Sequence, residues 1–271
     1  MRSGNIFWGL ILVLFGGVLL AQNTGFIPAG VNVWTIFWPL VLVLVGVFLL
    51  LRSTGRFGSG RFGPPLPQAA REPLQDAQQA TVRIHHGAGE LRIDGSAAAD
   101  DLFNGTFQGG LDARVQRGGS QVTADLRPPS DSFPVFAFDS RGGLDWNLGL
   151  NPSVPMSLDL EVGASRSLLN LRGTQVKDLK VQTGASATEI EFPAQAGETR
   201  ARIRSGMASV DMRVPQGVAA RIHASGGMAS ISVDTARFPQ IGSEYRSPDY
   251  DTAANRLDLD VETGMGSVTV R

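Results

Sequence analysis

The pattern of apolar and polar positions divides the chain into two regimes. From Asn5 to Leu51 there is no Lys, Arg, Asp or Glu, and two apolar runs fill most of the stretch: "IFWGLILVLFGGVLL" from Ile6 and "IFWPLVLVLVGVFLL" from Ile36. With Ile6 set against Ile36, the runs are identical at Ile6, Phe7, Trp8, Leu10, Leu12, Val13, Leu14, Gly16, Leu19 and Leu20. A hydrocarbon core about 30 Å thick takes roughly 20 apolar residues as a helix, because only a structure that satisfies its own peptide groups is tolerated there. The pattern predicts two membrane-spanning helices. The first runs from Ile6 to Ala21 with its polar flanks drawn in, and the second from Val33 to Leu51. The uncharged turn "QNTGFIPAGVN" joins them into a hairpin.

Beyond Thr81 the period changes to two. Leu158, Leu160 and Val162 alternate with Asp159 and Glu161; Val210, Met212 and Val214 with Asp211 and Arg213; Leu257, Leu259 and Val261 with Asp258 and Asp260. That alternation predicts strands with one buried face. A turn phrase recurs with them, at Gly87 ("GAGELRIDG"), Gly163, Gly184, Gly206 ("GMASVDMRVP"), Gly227 ("GMASISVD") and Gly264 ("GMGSVTVR"). Gly163, Gly184, Gly206 and Gly227 follow one another at an almost constant interval. A fixed period of about 20 residues predicts a repetitive β-solenoid-like domain, with a β-sandwich built on similar turns as the alternative. Glycine at each corner is expected to supply positive φ, and Ala and Ser to let successive turns stack closely.

The two regimes give three parts: a transmembrane hairpin over 1–52, a Gly- and Pro-rich tether over 53–80, and the all-β domain over 81–271. Trp8, Trp34 and Trp38 sit at the ends of the apolar runs, where an indole prefers the headgroup layer, and Arg2, Arg52 and Arg56 flank the hairpin at the membrane interface. With Arg61 also outside the turn and no basic residue within it, the charge asymmetry places both termini in the cytoplasm. A cleaved signal peptide ending near Ala21 is the competing reading, opposed by the second apolar run that follows at once. In the tether, Arg52, Arg56 and Arg61 interleave with Phe57 and Phe62, a stop-transfer flank or a contact with anionic lipid, and "GPPLP" reads as spacer.

Charge and composition narrow the function. The 271 residues carry 24 basic against 25 acidic side chains and no cysteine, which gives no argument for nucleic acid and excludes a disulfide scaffold. His85, His86 and His223 lack metal-site spacing and read as surface or turn residues, the first two pointing to opposite faces of one strand. Asp100 and Asp101 are adjacent, so their carboxylates diverge and read as loop residues. No nucleophile elbow, P-loop, zincin or dinucleotide motif occurs. The chain reads as a non-enzyme without cofactor. Outward charges change sign along the domain, from Glu189 and Glu191 through Arg200, Arg202 and Arg204 to Asp211 and Arg213, which favours a cross-strand ladder over an anion site at Arg202. The segment Arg127 to Pro152, with Phe133, Phe136, Phe138 and Trp146, breaks the alternation and is expected to plug one end of the array. At the other end the chain stops on "GMGSVTVR", so Val268 and Val270 are expected to form an open assembly edge for a homo-oligomer or a partner.

The doubled run "IFWGLILVLFGGVLL…IFWPLVLVLVGVFLL" resembles the transmembrane hairpin of LiaI/LiaF-like bacterial membrane proteins. The phrases "GAGELRIDGSAAADDLFNGTF", "WNLGLNPSVPMSLDLEVGAS" and the later Gly-Met-Ala-Ser turns resemble the β-rich C-terminal region of cell-wall-active antibiotic response proteins of LiaF type. The resemblance implies a regulator of envelope stress in the bacterial cytoplasmic membrane, in contact with lipid and with a protein partner such as a sensor histidine kinase. It implies no catalytic residue. The single hairpin here is fewer spans than LiaF proteins that have four.

Overall fold

The computed structural model describes residues 67–129 and 144–271. The two apolar runs, Trp8, Trp34, Trp38, Arg2, Arg52, Arg56 and the three phenylalanines Phe133, Phe136 and Phe138 lie outside the described residues, and among those described no helix is long and apolar enough to cross a membrane. The described part is all-β. Its strands in chain order are β1 (Gln68–Pro73), β2 (Gln79–Asp94), β3 (Asp101–Phe107), β4 (Asp112–Gly118), β5 (Gln121–Arg127), β6 (Trp146–Leu150), β7 (Met156–Asn170), β8 (Val176–Glu191), β9 (Glu198–Arg213), β10 (Ala219–Val233), β11 (Gln240–Ile241), β12 (Glu244–Arg246) and β13 (Arg256–Val270).

Six long strands form the body, side by side in the order β2-β7-β8-β9-β13-β10, and every neighbouring pair among them is parallel. Hairpin turns therefore do not connect them. Ser157 stands opposite Asp178 and Asp178 opposite Arg200, so the interval that separates Gly163, Gly184 and Gly206 is the register offset of adjacent strands. Alternate residues turn inward along each strand, and in register they stack into rows. One row is Val82, Leu158, Leu179, Ala201, Leu259 and Ile222; the next inward row is Ile84, Leu160, Val181, Ile203, Val261 and Ala224. All but Ala224 are buried. Each Leu, Ile or Val so placed contributes about 1.5–3 kcal/mol relative to exposure, an upper range because unfolded chains already bury some surface.

The β2 end of the array is closed by short strands. The first half of β2 pairs with β5, which pairs with β4, and the last residues of β2 pair with β6, which continues to β3 and β1. Trp146, expected in a plugging crossover, begins β6 and is fully buried against Phe107, edge to face at 5.0 Å between ring centroids. Strand β1 falls inside the stretch 53–80 that the composition assigns to a tether, and Ala80 is buried in β2. An edge strand is held through its backbone, so QAAREP needs no alternating apolar signature; Arg71 bridges to Asp101 and Arg117 to Glu72 at 2.5 Å.

The C-terminal strand corrects the expected assembly edge. β13 is an interior strand, paired along nearly its whole length with β9 on one side and β10 on the other, and Val268 and Val270 are buried. Charge explains why it enters between strands that are consecutive in sequence. β9 presents Arg200, Arg202 and Arg204 outward, and β10 presents Arg221 and His223 at the matching first two levels. β13 sets Asp258, Asp260 and Glu262 between them. Arg202 lies 3.6 Å from Asp260, Arg204 3.3 Å from Glu262, and Arg221 2.7 Å from Asp258. Directly adjacent, β9 and β10 would oppose Arg200 with Arg221, a like-charge pair that destabilises a ladder.

Candidate functional site

The six corner glycines meet in one column. On the six long strands Gly87, Gly163, Gly184, Gly206, Gly264 and Gly227 succeed one another, each close against the carbonyl of the one before. A Cβ built on Gly163 would stand 2.4 Å from the Gly87 oxygen, on Gly264 2.8 Å from that of Gly206, on Gly206 3.2 Å from that of Gly184, and on Gly184 3.3 Å from that of Gly163. None of the six has positive φ, so the conformational reason expected for them is replaced by a steric one. The array can bend at this level only if nothing projects from the bend. Two glycines two positions further on, Gly89 and Gly266, do carry positive φ.

Beside the column runs a shallow open trough of about 1050 Å³, floored by Gly87, Gly163, Gly184, Gly206 and Gly264. Its wall is the row His85, Glu161, Gln182, Arg204 and Glu262, one residue from each of five adjacent strands. The His85, Glu161, Arg204 and Glu262 side chains of this wall have partners on neighbouring strands. The His85 ring lies 2.9 Å from Glu161 through Nδ1 and 3.8 Å from Asp125 through Nε2, and Arg204 faces Glu262. Below the wall Ser205 and Thr263 share a hydrogen bond of 2.8 Å between hydroxyls. Such a surface can receive an extended chain along its glycine floor. It sets no nucleophile beside a base, and among the described residues no group of His, Cys, Asp and Glu is arranged to hold a metal ion.

The remaining sequence candidates resolve into structure. Arg202 is engaged by Asp260. Asp100 sits in a turn, while Asp101 opens β3, buried and bridged by Arg71. Of the ladder charges, Glu189 pairs with Arg166 at 3.1 Å and Asp211 with Arg271 at 2.8 Å, because the register places Glu189 beside Asp211 instead of beside an arginine. His85 and His86 do point to opposite sides of β2, and His223 is exposed, but His86 is a core residue at 2% exposure. The His86 ring shares its Nε2 proton with the Leu144 carbonyl at 2.6 Å and packs against Trp146 at 5.4 Å. Its Nδ1 is buried without a partner. Sequence reasoning misses a row of exposed methionines beside the glycine column, Met207, Met265 and Met228, and a bare stretch of β10 that follows Met228. The Met in each GM turn is the available signal.

Burial lowers the His86 pKa below its ordinary value near 6.5, against smaller opposing contributions from the Leu144 hydrogen bond and the Asp145 carboxylate. The unfolded imidazole then takes up a proton as pH drops below about 6.5 while the folded one resists, so stability is full above that value and falls as pH drops toward the lowered folded pKa. Denaturant midpoints measured between pH 7.5 and 5 should decline, and His86→Gln, which keeps a donor for Leu144, should flatten that decline. Equal slopes in the two proteins would remove His86 as the cause.

Three family models match the chain. That of the N-terminal domain of toast_rack covers residues 68–213, that of the LiaI-LiaF-like transmembrane region residues 6–56, and that of the cell wall-active antibiotics response LiaF C-terminal region residues 171–270. Among solved structures, a candidate cell adhesion protein from Clostridium sporogenes superposes with a TM-score of 0.68 at 17% identity, over 75% of this chain and 98% of that one, a likeness of fold. No curated protein matches significantly.

Proposed function

Because the chain belongs to the toast-rack family and carries the transmembrane and C-terminal regions of a LiaF-type protein, we propose that it is a non-enzymatic regulator or scaffold in the bacterial response to cell-wall-active antibiotics. The match to the LiaI-LiaF-like transmembrane region over residues 6–56 supports association with a membrane. In the finer reading the hairpin over 1–52 sits in the cytoplasmic membrane with both termini inside, Trp8, Trp34 and Trp38 at the lipid interface, and the solenoid-like array faces a protein partner such as a sensor histidine kinase.

One observation carries the reading. A concave surface of the described domain is a trough whose His85, Glu161, Arg204 and Glu262 side chains have partners on neighbouring strands and whose floor is backbone, an arrangement suited to steady presentation of a surface and unsuited to bond chemistry. Rigidity is the useful property of such an array, since six in-register parallel strands leave little freedom to the rows they display.

The test is genetic and topological. Cells lacking the protein, complemented with the full chain or with residues 1–80 alone, are challenged with a wall-active antibiotic while an envelope-stress reporter is followed. The proposal expects a several-fold change in basal reporter output that only the full chain restores. Restoration by residues 1–80 would assign the activity to the hairpin and remove the array from the mechanism. A cysteine placed at Ser120, in a chain with no native cysteine, should resist a membrane-impermeant reagent until lysis; immediate labelling would reverse the topology.

A further inference from the structure

With β13 inside the array, the end of the array is β10. Its first half is covered, since Arg221 and Ile222 pair with β12. Beyond Ile222, no strand among the described residues pairs with β10 on the side away from β13. The effect on burial is direct. In the row Val210, Val268 and Ile231 the first two are buried and Ile231 is half-exposed; in the row Met212, Val270 and Val233 the same holds for Val233. Met228, at the start of this stretch, is 76% exposed and stands at the end of the methionine row.

Sheet edges in natural proteins are usually guarded by charge, proline or a bulge. Two other edges follow that rule: β1 carries Arg71, Glu72 and Pro73, with a register shift at its end, and β4 carries Asp112, Arg114 and Arg117. The bare part of β10, "GGMASISV" from Gly226 to Val233, has none of these, and it ends on the strand-favouring Ile231 and Val233. An unguarded edge of this kind is a pairing surface.

We propose that the occupant is the same edge of a second copy of this chain, the two β10 strands lying antiparallel about a two-fold axis near Ser230. Charge matching selects it. Along the interior of the array, acidic residues of one strand meet basic residues of the next, as at Arg202 with Asp260 and Arg204 with Glu262. The β10 stretch offers no charge, and the edge that matches a neutral strand in this chain is β10 itself. The charged β1 and β4 edges at the other end do not match it, so head-to-tail fibres are disfavoured and the contact closes on itself. Centred on Ser230, the pairing sets Ala229 against the partner's Ile231 on the inner face and Met228 against the partner's Ser232 on the outer, covering the apolar side chains that the lone array leaves half-exposed.

The experiment uses the full chain in detergent and in native membranes. Wild-type protein should run by light scattering at twice the monomer's protein mass, and Ser230→Lys with Ser232→Lys, both on the exposed outer face, should reduce it to a monomer that keeps the β spectrum and a cooperative unfolding transition. Ser230→Cys should form a disulfide-linked homodimer under mild oxidation, at least tenfold more than Ser209→Cys on interior β9. A monomeric wild type overturns the proposal. So does a dimer that persists in the double lysine variant while S230C stays uncrosslinked, which would place association elsewhere in the chain. Crosslinking of S230C to a different protein with no homodimer adduct would overturn self-pairing as well.

Discussion

Replacing Gly266 with alanine is expected to lower the stability of the β domain by on the order of 3 kcal/mol or more, the largest loss of any single methyl addition in the glycine-rich turns. Two independent costs meet at this position. Gly266 holds φ +123, which L side chains rarely adopt, and a Cβ there would stand 2.0 Å from the Ala208 carbonyl oxygen on β9. The colliding atom is backbone in an interior strand, so relief requires moving β13 away from β9 along a ladder of paired residues. Neighbouring positions supply the internal scale. Gly163→Ala, with ordinary φ but a 2.4 Å approach, should cost less than Gly266→Ala, and Gly184→Ala, at 3.3 Å, should cost least. Thermal or denaturant unfolding of the three variants gives the order directly. A Gly184→Ala loss equal to that of Gly266→Ala would mean that the column is not set by inter-strand approach.

That series also marks what the sequence could and could not disclose. The near-constant interval between Gly163, Gly184, Gly206 and Gly227, the alternation that buries Leu158 and Leu160, and the common level of the six turn glycines are all legible, since each is a property of one strand repeated on the next. The reason for the glycines is not legible. Positive φ is a local property and a natural expectation, whereas contact with the carbonyl of a strand remote in sequence exists only once the strands are stacked. Strand β1 escapes notice because an edge strand paired through its backbone needs no alternating pattern, whereas the inward side of His86 is legible from Val82 and Ile84, which share its parity. The order of strands is recoverable in principle. Arg200, Arg202 and Arg204 at spacing two have a complement in Asp258, Asp260 and Glu262 at the same spacing, while Arg221 and His223 do not complement them. Chain order and charge order disagree there, and the fold follows charge.

The position of β13 makes the second large prediction. Val268→Lys should destabilise the folded domain by about 4 kcal/mol, because Val268 is fully buried and an ammonium at that point has neither water nor a counter-ion within the row of Val210 and Ile231. Were the C-terminal strand an open edge, the same lysine would leave folding intact and remove only self-association. The neighbouring residue of the same row separates the two cases. Ile231 is half-exposed on β10 of the lone chain, so in a protein held monomeric by Ser230→Lys with Ser232→Lys, Ile231→Lys can turn its ammonium to solvent and should cost about 1 kcal/mol. A difference of roughly 3 kcal/mol between two apolar-to-lysine changes on adjacent strands, read from denaturant midpoints, is the signature of an interior β13 beside an edge β10. Equal and small losses would place β13 at the edge and return Val268 and Val270 to the surface. Equal and large losses in that monomeric background would mean that β10 is covered along its second half within the single chain.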